Sequence, residues 1–200
     1  MPRRSAADAS DTRERILHCA VAIAARDGLE GVTIGRLADD LGMSKAGVYG
    51  HFGSKEALQL ATFGLAVEQF QELVPARAAG TGTGIERLRR LCAAWIDYLE
   101  QGGIAGGGCF LAAAAMEFDN RPGPVRDAVA RAADDWLAHL ERLAAAAVEA
   151  GDLPSDTDPA QLAFELNGIA LATNQAIQLQ GDTAAPQRAR RAMNRAAGAP

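Results

Sequence analysis

Only three cysteines, Cys19, Cys92 and Cys109, are spread over the 200 residues. They are too few and too scattered for a disulfide framework or a zinc knuckle. His18 and His139 have no ligand spacing with other donors, so no metal is expected. No run is long and apolar enough to span a bilayer, and the opening MPRRSAADAS is polar, without the apolar core of a signal peptide. These absences predict a soluble cytoplasmic protein with no membrane partner. β-Branched residues are sparse while alanine and leucine dominate, which favours helix over strand. No internal repeat is visible. A clustered nucleophile, general base or cofactor motif is also missing, so the sequence predicts neither an enzyme nor a cofactor.

One absence is local. No acidic residue lies between Leu41 and Lys55, although the chain as a whole carries a formal charge of −5. Residues 1–60 hold eight Lys/Arg and eight Asp/Glu, so the surplus of acid belongs to the rest of the chain. A neutral head with a locally basic segment can approach a polyanion, while an acidic body limits non-specific sticking.

That segment sits in LADDLGMSKAGVYGHFGSKEAL, Leu37–Leu58, which has the grammar of a helix-turn-helix. Ala38 is the small residue between two helices, Gly42 makes the turn, and Val48 anchors the second helix. Thr33 reads as the N-cap of the first helix and Ser44 as that of the second. Lys45 then falls on the first turn of the helix that would enter a major groove. Lys45, Tyr49 and His51 are the main candidates for contact with double-stranded DNA, with Ser44, Ala46 and Gly47 as positions of close approach. Lys55 and the helix terminus at Thr33 could reach phosphate. Arg3 and Arg4, on an expected flexible arm over residues 1–10, could enter a groove.

The rest of the chain also reads as helices. A first helix capped by Ser10 or Asp11 carries Ile16, Leu17, Ala20, Val21 and Ala24 on one face and stops at Gly28. The recognition helix should run from Ser44 to about Gly50, and another helix from Ser54 toward Leu73. PARAAGTGTG, Pro75–Gly84, reads as a linker. Further helices are expected over Ile85–Leu99, Cys109–Phe118, Val125–Ala147, Pro159–Gly181 and Thr183–Arg195. A loop with five glycines lies between Gly102 and Gly108. The expectation is an all-α protein of about nine helices: a helix-turn-helix head over 11–53 and a larger helical body over 54–200.

TRERIL at Thr12–Leu17, Gly28, Thr33, Leu37-Ala38 and LGMSKAGVYGHFGSKEAL make the head resemble the TetR family of transcriptional repressors almost position by position. The resemblance implies a body that binds a small-molecule effector and dimerises, and a homodimer on a near-palindromic operator. GGGCFLAAAAMEFDNRPGPVRD also resembles part of one branch of these regulators. Many members carry a hydroxyl residue where this chain has Gly47, so the bases read transfer less readily than the fold. A glycine there costs the helix roughly 1 kcal/mol relative to alanine.

In the body, Asn167, Asn174 and Gln178 share one face of an otherwise apolar helix, where buried amides need partners that a ligand could supply. Trp95, Phe110, Met116, Phe118, Trp136, Leu140, Phe164 and Leu171 are candidate apolar walls, each of which could equally be plain core. Gly168, Ala172 and Ala176 form a ridge of small residues suited to a dimer interface. Cys109 begins a helix, whose N-terminus can favour a thiolate, so an electrophile or redox sensor is the alternative to a small buried residue. Glu117 and Asp119 should form ordinary salt bridges with Arg121 and Arg126. The basic run Arg188–Arg195 reads as a solvated face.

Overall fold

Ile16, Ala20, Val21, Ile23 and Ala24 are all buried and give the first helix, α1 (Ala6–Asp27), its inner face. The computed structural model describes residues 6–198. Arg3 and Arg4 therefore lie outside the described residues, and the arm expected over 1–10 is shorter, because Ala6–Ser10 already belong to α1. The helix stops at Gly28, whose φ of 76° is left-handed. A 3₁₀ turn, Leu29–Gly31, leads into α2 (Ile34–Leu41) and α3 (Lys45–Phe52). Leu37, Ala38 and Val48 are buried in the same core as the inner face of α1, which closes the head. The recognition helix runs two residues past its expected end, to a left-handed Gly53.

The body begins with α4 (Lys55–Leu73), capped by Ser54. The expected linker is helical at its start: Pro75–Ala78 form one turn, α5, with proline at the first position, where its missing N–H costs nothing. Next come α6 (Gly84–Glu100), with a Thr83/Glu86 capping box, and α7 (Phe110–Phe118). They are followed by α8 (Pro124–Glu149), α9 (Pro159–Gln180) and α10 (Ala185–Ala196). Among the described residues there are nine helices of eight residues or more, as expected, with α5 in addition. No strand occurs among the described residues; a lone backbone bridge joins Gly103 to Gly108. None of the described helices is long and apolar enough to cross a membrane.

Leu88, Leu91, Ile96, Leu99, Leu140, Leu166 and Met193 are almost fully buried where α6, α8, α9 and α10 meet. Each such aliphatic side chain contributes about 1.5–3 kcal/mol by leaving water. Met193 with Ala185, Pro186 and Ala189 gives α10 an inner face, and Arg190 reaches Asp97 at 2.9 Å and Glu100 at 2.5 Å on α6. The basic terminal helix is therefore docked along one side, and its arginines are not all solvated.

The glycine loop binds head to body. Tyr98 donates its hydroxyl to the Gly108 carbonyl at 3.4 Å, and the Cys109 N–H donates to Asn174 Oδ1 at 2.8 Å. Gly107 lies so close to α1 that a Cβ would fall 1.9 Å from the Ala25 carbonyl oxygen. Gly107→Ala should cost about 1–3 kcal/mol of overpacking and lower Tm by at least about 2–4 °C in calorimetry. Gly64→Ala, in α4 where a Cβ meets nothing within 4 Å, should leave Tm unchanged or raise it.

Candidate nucleic-acid interface and body cavity

Two side-chain caps set the head. Thr33 Oγ1 accepts from the Arg36 N–H at 3.2 Å and Ser44 Oγ accepts from the Gly47 N–H at 3.0 Å. Between them Gly42, at φ 63°, closes α2, and the Met43 N–H donates to the Ala38 carbonyl at 2.8 Å. A Cβ at Gly47 would stand 3.1 Å from the capping hydroxyl, so the glycine leaves the cap room. On the outer side of α3, Ser44, Lys45, Ala46 and Tyr49 are exposed, Tyr49 to 54%. His51 is half-buried beside Phe52, and Arg13 stacks over the Phe52 ring at 5.1 Å.

Lys55 differs from the expected free phosphate contact. Its Nζ is 2.8 Å from Glu30 Oε2, in the 3₁₀ turn. Glu30 also accepts from Gln59 Nε2 at 2.9 Å, and Arg121 lies 3.8 Å away. The Lys55 and Gln59 hydrogen bonds hold the Glu30 carboxyl below its ordinary value.

Glu117 carries an unforeseen role. Its carboxylate accepts from the Leu29 N–H and the Glu30 N–H, both at 2.8 Å. A Cβ at Gly28 would sit 2.7 Å from Glu117 Oε2, so glycine is needed there for space as well as for its φ. The expected pairs with Arg121 and Arg126 do not form: Arg121 turns to Glu30 and the Phe118 ring, and Arg126 donates to the Asp119 backbone carbonyl. The turn Leu29–Gly31 is thus gripped from two sides. Gln59 of α4 also donates to the Leu29 carbonyl, and Glu117 of α7 binds its amides.

Behind this junction the body is hollow. An outer cleft of about 800 Å³ runs between α4 and α8, with Phe63, Val67, Phe70 and Leu111 at its base and Glu68, Arg131, Asp135, His139 and Arg142 at its rim. An inner chamber of about 120 Å³ shares Phe63, Phe70, Leu111, Ala132 and Trp136 with it. Trp136 packs edge-to-face on Trp95 at 4.6 Å and on Phe70 at 5.0 Å. Burial, then Arg142 and Arg87, pushes His139 below its ordinary value, so the imidazole is neutral at pH 7.

Of the wall residues expected from sequence, Trp95, Cys109, Trp136, Asn167 and Leu171 meet at the inner chamber. Phe110 packs on Phe63 behind it, and Phe118 and Leu140 are buried core elsewhere. Met116 and Phe164 point outward, each 69% exposed. Asn174 holds the Cys109 amide, and Gln178 packs against Gly108, so neither lines the cavity. Gly168 and Ala172 are exposed and Ala176 half-buried. Burial raises the Cys109 thiol above its ordinary value, outweighing the helix terminus. Sequence reasoning missed Phe63 and Phe70, whose seven-residue spacing puts both on the inner face of α4.

A helix-turn-helix head joined to a larger helical body is the architecture of a class of DNA-binding transcriptional regulators. Residues 16–62 match the family model for bacterial regulatory proteins of the tetR family, and residues 84–193 that for the tetracyclin repressor-like C-terminal domain. The chain belongs to the TetR family of transcriptional regulators. Over 60 residues it is 37% identical to the HTH-type transcriptional regulator SrpR of Pseudomonas putida, a stretch covering 30% of this chain and 28% of that protein's length. The fold matches a TetR transcriptional regulator from Chloroflexus aurantiacus with a TM-score of 0.86 at 24% identity, covering 96% of this chain and 95% of that one. It also matches AibR, solved in complex with isovaleryl coenzyme A and operator DNA, with a TM-score of 0.74 at 23% identity, covering 92% and 96%.

Glu117→Gln keeps one acceptor but sets an amide N–H₂ against a backbone donor. It should cost about 1–3 kcal/mol and speed hydrogen exchange at Leu29 and Glu30, read by mass spectrometry of the peptide that spans them. Unchanged exchange there would remove Glu117 from the junction.

Proposed function

We propose that this regulator is a sequence-specific repressor that binds a near-palindromic operator as a homodimer and leaves it when a small, largely apolar effector enters the body cavity. The observation that carries the reading is the shared grip on the Leu29–Gly31 turn: α4 and α7 both wall the cavity and both hold the head. A ligand that displaces either helix would move the turn and the head with it. To empty the operator it must favour the released conformation by several kcal/mol, since equal affinity for both states shifts nothing.

On the output side, the acid-free outer face of α3 supports Lys45, Tyr49 and His51 as DNA contacts, with Ser44, Ala46 and Gly47 close to the groove and Thr33 at a helix terminus near phosphate. Lys55 would have to leave Glu30 to join them. In a dimer the two recognition helices must stand about 34–36 Å apart to enter successive major grooves. The second copy is proposed to cover the outer face of α9, where Phe164 and Leu179 are 69% and 76% exposed beside Gly168, Ala172 and Ala176. The division into a head over 11–53 and a body over 54–200 follows from these roles, and a cytoplasmic location from the DNA target. The operator DNA and acyl thioester in the AibR complex support the same reading. A Cys109 sensor is not favoured, because the thiol is buried and its acidity reduced.

Lys45→Ala should weaken operator binding and reduce the slope of log K against log salt by about 1, measured by fluorescence anisotropy on an operator selected from genomic fragments. An unchanged slope would take Lys45 off the phosphate backbone.

A further inference from the structure

Lys45 and Lys55 are the chain's two lysines, and they bracket α3 with no carboxylate between them in sequence. Both stand at exposed positions. They differ in their partners. Lys45 has no ion-pair partner among the described residues, whereas Lys55 Nζ is 2.8 Å from Glu30 Oε2. That pair is open to water, its side chains 43% and 44% exposed. An exposed pair of this kind holds its partners together by a factor of only about two to five, and salt screens it. Duplex DNA presents about one phosphate charge per 1.7 Å of its axis, a stronger competitor for an ammonium group.

Losing Lys55 would not orphan Glu30. Gln59 Nε2 donates to its Oε1 at 2.9 Å, and Arg121 Nη1 lies 3.8 Å from the same oxygen. The Glu30 backbone N–H is held separately by Glu117, so the residue stays in place while its partner changes. We infer that Glu30 holds Lys55 as a stand-in for a DNA phosphate, so that operator binding transfers Lys55 to the duplex backbone and Glu30 sets how tightly the head holds DNA. This rests on the operator-binding reading above. The exchange also alters the junction with the body. In the free protein Glu30 is tied to the first residue of α4; on DNA it keeps Gln59 and Arg121, which lies just past the end of α7. Whatever fixes Lys55 on Glu30 weakens DNA binding, and bound DNA weakens that hold by the same factor.

Glu30→Gln keeps an oxygen for Gln59 and removes the charge that holds Lys55. It should tighten operator binding about two- to fivefold at low salt, and the gain should shrink as salt is raised. Removing any carboxylate near DNA also lowers repulsion. Glu56→Gln, at an exposed position beside Lys55 but outside the pair, measures that background. In a Lys55→Ala background Glu30→Gln should gain no more than Glu56→Gln does. The wild-type protein tests the exchange with no substitution in it. Labelled with ¹⁵N-lysine, it carries two side-chain ammonium resonances, assigned through Lys55→Ala. A saturating operator duplex should move both, whereas Glu30→Gln should move that of Lys55 alone.

A Lys55 resonance that stays put while the operator moves that of Lys45 would overturn the proposal and leave DNA binding intact. So would a full gain from Glu30→Gln persisting without Lys55, or an unchanged or weaker affinity of Glu30→Gln at an unchanged Tm. If that variant melts lower, the wild-type spectrum decides. A wild-type protein that holds no genomic fragment would remove the operator reading as well.

Discussion

Two backbone N–H groups at the start of a three-residue turn must find acceptors, and the carboxylate that serves both belongs to the body. Glu117 reaches across from α7 to the Leu29 and Glu30 amides, and much else is arranged around that contact. Gly28 has no Cβ because one would occupy the place of the carboxylate. Glu30 is left free to hold Lys55 and Gln59 with its own side chain, which brings α4 into the same knot. Charge-assisted hydrogen bonds are among the stronger polar contacts a protein makes, so three elements meet at a defined angle there. The head is thus oriented by polar contacts with the body as well as by its own apolar core.

The cavity lies on the other side of the same two helices. Phe63 and Phe70 look inward from α4 while Gln59, one turn before Phe63, faces the head; Leu111, Ala112 and Ala115 look inward from α7 while Glu117 faces the head. The inner chamber and the turn are therefore separated by the thickness of a helix. A displacement needed to admit an effector has no soft material in between to absorb it.

The head was largely legible in the chain. Its signals are local: Thr33, Ser44 and Ser54 cap helices three residues ahead, and Gly28, Gly42 and Gly53 end them. The body was legible as helices but not as a site. Met116 and Phe164 are as apolar as Trp95 and Trp136, and only packing separates an outward face from an inner wall. In FLAAAAMEF apolar residues occupy every side, so helical phase cannot say which one looks into the chamber. Sequence proximity pairs Glu117 with its neighbours Arg121 and Arg126, because nothing in one dimension points 87 residues back to Glu30. Asn174 and Gln178 share a face with Asn167, as their spacing requires, yet the glycine loop claims them first.

Alanines at 112–115 give α7 the same side chain at four successive positions, slightly more than one full turn. Turned about its axis by one residue, its middle would present nearly the same wall to the chamber. The alanines leave the helix's azimuth to its ends: the buried Phe110 and Phe118 rings, Asn174 on the Cys109 amide and Glu117 on the head. The helix is thus held like an axle at its two ends. Because Glu117 sits on the rim of that axle, a small roll becomes a tangential pull on the Leu29–Gly31 turn.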